Sequence, residues 1–74
     1  MNPRLDVTVL DLIREKQGLN SDKMLAEKLG VSPSTVRNWR NGTYLPSAPM
    51  LVKMQFLTGR PYGTMLMIPN VAAA

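Results

Sequence analysis

The sequence predicts an all-α domain of five short helices, and three observations carry that prediction. Apolar residues recur at the spacing of a helix that buries one face. Glycine, proline, serine and asparagine fall between those stretches, where helices start and stop. Hydrophobic residues make up 45% and charged residues 19%, the balance of a globular chain rather than a disordered one.

The first helix is expected over residues 3–17, with Asn2 as N-cap and Pro3 at the first helical position. Leu5, Val9, Leu12 and Ile13 form its buried stripe, and Gly18 stops it. Arg14 and Lys16 sit against the negative end of its dipole. Asn20 or Ser21 caps the second helix, which carries Asp22 in its first turn and ends at Gly30. Leu25, Ala26 and Leu29 are its inner face. A helix this short does not persist alone, so it is held by packing.

Gly30-Val31-Ser32-Pro33 is the sharpest local signal. Gly30 takes positive φ and ends one helix, and Ser32 caps the next with Pro33 at its first position. That third helix is expected over 33–41, with Val36 and Trp39 facing inward and Asn41-Gly42 closing it. Thr43 to Pro46 forms a loop. Ser47 then caps a fourth helix over 48–58, striped by Leu51, Met54, Leu57 and Met50 and ended by Gly59. Pro61 opens a fifth helix over 61–67 that carries Tyr62, Met65 and Leu66. The expected domain is residues 1–68, and 69–74 reads as a tail.

Composition narrows the chemistry. Without cysteine there is no disulfide framework, zinc ribbon or thiol nucleophile, and without histidine no Ser-His triad or imidazole metal site. An enzyme is not expected, nor a cofactor, metal or small-molecule ligand. No signal-peptide core or membrane-length apolar run stands out, so a cytoplasmic, soluble protein is expected.

Nine Lys and Arg against five Asp and Glu give +4, with a pI near 10.0, which suits a polyanionic partner. All five acids lie in the first 27 residues, while Lys28, Arg37, Arg40, Lys53 and Arg60 follow with no acid among them. That asymmetry lets one part of a small fold present a field of one sign.

Two short helices that meet at a glycine-containing turn describe a helix-turn-helix, here residues 21–42. The run "LAEKLGVSPSTVRNWRNG" resembles the helix-turn-helix of the phage Cro and repressor class (lambda-repressor-like), over about residues 5–67. The resemblance implies a five-helix DNA-binding fold, with base readers at Pro33, Ser34, Arg37 and Asn38. Arginine suits guanine O6 and N7, and asparagine suits adenine N6 and N7. Serine discriminates less, and Pro33 offers apolar contact alone, a departure from the family's pattern. Ser34, Arg37 and Asn38 lie opposite Val36 and Trp39; the bland alternative is a solvated face. Trp39 belongs to the core side by its spacing, although aromatic rings stack on bases in single-strand binders.

Expected phosphate contacts are Lys23, Ser32, Arg40, Asn41, Thr43 and Tyr44. Many relatives carry glutamine where Asp22 stands, and a carboxylate cannot donate to a phosphate. Either Asp22 turns aside at the helix start or that contact is lost. Lys53 and Arg60 either extend the positive footprint or are solvated.

One domain serves one half-site, so a homodimer on a pseudo-palindromic double-stranded operator is expected. The resemblance puts the dimer contact at Tyr62, Met65, Met67 and Ile68, with residues 65–71 as a strand across the dimer in one alternative. The leading expectation is a small Cro-like phage or prophage repressor acting by operator occupancy. Its rivals are a helix-turn-helix antitoxin that binds a toxin and its own promoter, and a protein-interaction adaptor that uses no DNA.

Overall fold

A computed structural model describes residues 3–68. In chain order these form β1 (Arg4–Leu5), α1 (Thr8–Gln17), α2 (Asp22–Leu29), α3 (Pro33–Asn41), α4 (Ala48–Thr58), a 3-10 turn (Tyr62–Thr64) and β2 (Leu66–Met67). The domain is mostly helical, with α1 packed on α2 and α4, and α2 packed on α3. No helix among the described residues is long and apolar enough to cross a membrane.

The two ends of the chain depart from the expected helices. The first helix begins at Thr8 rather than at residue 3, and the cap expected at Asn2 lies outside the described residues. Arg4 and Leu5 are extended instead, pairing antiparallel with Met67 and Leu66 respectively. The Asp6 carboxylate then accepts bonds from the Thr8 backbone N–H at 3.0 Å and the Thr8 hydroxyl at 2.6 Å, which holds the first turn of α1. Leu5 is fully buried as a strand residue, and the stripe of α1 is Val9, Leu10 and Ile13, with Leu12 half-buried.

The fifth helix expected over 61–67 is replaced by the 3-10 turn and β2. A segment of that length cannot offset helix nucleation by its own hydrogen bonds. It gains partners from β1 instead, and the Asp6 N–H donates to the Met65 carbonyl at 2.6 Å. This pairing lies within one chain. The alternative of a strand running to residue 71 falls partly outside the described residues.

Met65 is therefore corrected from dimer contact to core residue: it has no exposed surface, whereas Met67 is half exposed. Residues two apart in an extended segment share a face, so Met65 and Met67 differ because Met65 is not extended: it closes the 3-10 turn at φ −89° and ψ −13°, before β2 begins. The remaining core brings Leu25, Ala26 and Leu29 of α2 against Val36 and Trp39 of α3, with Leu51 and Met54 of α4 closing it.

Truncating the two methionines separates these environments. Met65→Ala is expected to cost about 2–5 kcal/mol in a urea titration, the range for emptying a buried site. Met67→Ala is expected to stay within about 0.5 kcal/mol of the unmodified chain. Equal losses would contradict the burial of Met65.

Candidate nucleic-acid interface

The helix-turn-helix is assembled by local chemistry. Ser21 Oγ accepts from the Met24 N–H at 3.2 Å and starts α2. Gly30 ends it at φ 76°, and the Val31 N–H turns back to the Ala26 carbonyl at 2.9 Å. Two residues later Ser32 Oγ accepts from the Thr35 N–H at 3.2 Å, with Pro33 opening α3. Ala26 is fully buried in the core that α2 and α3 share, and Val36 and Trp39 fix the inner face of α3. Trp39, 4% exposed, is a core residue.

The opposite face of α3 is turned to solvent. Pro33, Ser34 and Arg37 are exposed and Asn38 is half-buried. Among the described residues, no hydrogen bond engages the side chains of Ser34, Arg37 or Asn38, so their donors and acceptors remain open. Ser32 is exposed, but its hydroxyl is shared between the cap and the Thr35 hydroxyl at 3.0 Å. Asn41 is the last residue of α3 and Thr43 and Tyr44 follow it, all three exposed, and Lys23 is exposed on α2.

Arg40 does not join that face. Its guanidinium donates to Asp22 from Nε at 2.7 Å and from Nη2 at 2.9 Å, and Nη2 also reaches Asp11 at 2.9 Å. Arg14 adds a longer ion pair to Asp22 at 3.4 Å. Arg40 thus ties α3 to both α1 and α2. The expected phosphate contact is narrowed on that ground: Nε and Nη2 are committed inside the protein, and Nη1 alone has no hydrogen bond among the described residues. The same geometry accounts for Asp22 at the start of α2, where its partly exposed carboxylate accepts from two arginines.

Two other late cations, Lys53 and Arg60, are similarly engaged. Lys53 donates to the Leu29 carbonyl at 3.3 Å, closing the end of α2. Arg60 reaches Asp6 at 3.2 Å, the Thr8 hydroxyl at 3.2 Å and the Thr64 carbonyl at 2.6 Å. Two features had no local sequence signal or went unread. Arg4 donates to the Arg40 carbonyl at 2.7 Å, a contact across 36 positions. Phe56, on the outer side of α4, is 84% exposed, although apolar residues on more than one side of α4 already pointed to it.

These ion pairs perturb their carboxylates. Hydrogen bonds from Arg40 hold the Asp22 carboxyl below the usual carboxylate range, against partial desolvation and with the added charge of Arg14. Asp6 is lowered chiefly by the hydrogen bond from the Thr8 hydroxyl, and further by Arg60. The Arg40 guanidinium is raised, chiefly by Asp22.

A family model described as helix-turn-helix matches residues 10–55, from within α1 to within α4. No curated protein and no solved structure matches the chain.

The lowered carboxylates set the acid limb of stability. A group with a depressed folded value stabilises the fold fully above its unfolded value, about 3.9 for aspartate, and loses that effect as pH falls through the folded value. Urea midpoints should therefore drop as pH falls below about 4. Asp22→Asn should be less stable than the unmodified chain at pH 7 and should lose less on acidification. Identical acid profiles for the two proteins would contradict the role assigned to Asp22.

Proposed function

The chain belongs to the helix-turn-helix family of DNA-binding transcriptional regulators, and we propose that it is a small sequence-specific repressor of the Cro-like phage or prophage kind. It acts by occupying an operator and excluding polymerase. The observation that carries this reading is the two-sided character of α3. Its inner face is locked by Val36 and Trp39, while Ser34, Arg37 and Asn38 present unengaged polar groups on the other.

Insertion of the N-terminal end of α3 into the major groove brings those groups to base edges. Asn38 reads adenine and Arg37 reads guanine, each through a bidentate pair, while Ser34 and Pro33 contribute less discriminating contacts. Lys23, Asn41, Thr43 and Tyr44 hold the phosphates on either side, with Ser32 offering its hydroxyl beside them. Arg40, committed through Nε and Nη2, has only Nη1 to add to them.

Two copies fill a pseudo-palindromic operator, with half-sites about 34 Å apart. Tyr62, Met67 and Ile68 supply exposed apolar surface for their contact, and Phe56 adds to it from α4. The same exposure of Phe56, with Val52 at 43%, favours a second reading, an antitoxin whose toxin covers this surface.

Selection of sites from random duplex DNA tests the function, and a pseudo-palindrome is the expected product. Asn38→Ala should cost about 1–3 kcal/mol at the best site and relax preference at one position. Equal weakening on selected and random DNA would remove Asn38 as a base reader. For the assembly, sedimentation of the unmodified chain should show a homodimer that Phe56→Asp weakens without loss of helicity. A strictly monomeric chain that recovers a second protein on co-purification would support the antitoxin instead.

A further inference from the structure

The four glycines that end α1 to α4 all have positive φ, yet Gly42 differs from the rest. A Cβ at Gly42 would lie 3.2 Å from Cζ and 3.3 Å from Nε of Arg4, whereas a Cβ at Gly18, Gly30 or Gly59 would meet nothing within 4 Å. The Arg4 guanidinium lies against the end of α3 in space that a side chain at position 42 would occupy. From there Nη2 donates to the Arg40 carbonyl at 2.7 Å. The Asn38 and Trp39 carbonyls already receive the Thr43 and Gly42 N–H groups, so Arg4 supplies a donor to the next carbonyl of the last turn. Its positive charge also faces the negative end of the helix dipole.

Arg4 is itself held from the far end of the chain. It pairs with Met67 across the two-stranded ribbon, Leu5 beside it is buried, and Asp6 bonds to the Met65 carbonyl. The ribbon, Arg4 and the C-terminal turn of α3 form one connected path. Residue 40 is consequently gripped twice, by its carbonyl from β1 and by its side chain from α1 and α2.

We propose that Arg4 is a positioning residue for DNA recognition. It clamps the rear of α3 to the terminal ribbon, so that the exposed N-terminal turn meets the groove in one orientation. The proposal rests on the DNA-binding reading above. Arg4 acts through α3 and touches no phosphate.

The test compares Arg4→Met, which keeps the apolar stem, with Arg4→Lys, which keeps a donor, both measured on the selected duplex over a range of salt. Arg4→Met should bind more weakly, by up to about tenfold, because the cost of fixing the end of α3 then falls on binding, with an unchanged salt slope. Arg4→Lys should recover part of the affinity. In the free protein, amide exchange at Gly42 and Thr43 should quicken in Arg4→Met while Ile13 stays protected. Full affinity with unchanged exchange in Arg4→Met would overturn the role of Arg4 alone. A salt slope reduced by about one would also overturn it, because that marks a lost phosphate contact. If the unmodified chain shows no salt-dependent duplex binding, the DNA reading itself falls and takes the role of Arg4 with it.

Discussion

The packing of α2 on α3, with Ala26 fully buried in their shared core, is the constraint on which the rest of this structure depends. Ala26 has no exposed surface, and neither helix exceeds nine residues. Helices of that length are marginal in water, so each owes its existence to burial of Leu25, Leu29, Val36 and Trp39 around that contact. A larger residue at position 26 would separate the helices or force strain into the packing. With the inner face of α3 committed in this way, its outer face can stay polar and unengaged. Recognition chemistry is available because the other side of the helix has no freedom.

Charge follows a similar division. The acids of the first 27 residues and the bases that follow are separated in sequence but not in space. Asp22 and Asp11 fold onto Arg40, and Asp6 folds onto Arg60. Partly exposed ion pairs contribute little stability, about 0–1 kcal/mol each; their geometric effect is to join elements distant in the chain. Among the described residues, Lys16, Lys23, Lys28 and Arg37 have neither an acid partner nor another side-chain hydrogen bond, and the last three lie on the two helices of the helix-turn-helix. The positive field facing a polyanion therefore comes from fewer residues than the net charge suggests.

The central helices were legible in the sequence because their signals are local. Gly30, Ser32 and Pro33 mark one stop and one start within four positions, and α3 and α4 occupy the spans that their caps and glycines imply. The ends were not legible for a matching reason. Leu5 and Val9 share helical spacing, so Leu5 reads as the first turn of a helix until its strand partner, more than sixty positions away, is known. The fate of Met65 depends on the same pairing. Arg40 has the residue type and position of a phosphate contact, and its capture needs two acids from separate helices. Arg4 is harder still, since its target is a backbone carbonyl that no side-chain pattern reveals. Phe56 is different: with Met50, Leu51, Val52, Met54 and Leu57 it gives α4 more apolar residues than one buried stripe holds, and that surplus was visible from the start.

The central claim is that the solvent-facing side of α3 meets DNA while its buried side keeps the helix in place. Chemical-shift mapping of the labelled chain against its selected duplex tests that claim most directly. The largest changes are expected at the backbone of Ser34 and Arg37 and at the side-chain amide of Asn38, with smaller ones at Lys23, Thr43 and Tyr44 and none at Val9 or Ile13. Changes confined to the outer side of α4, with α3 unmoved, would contradict it.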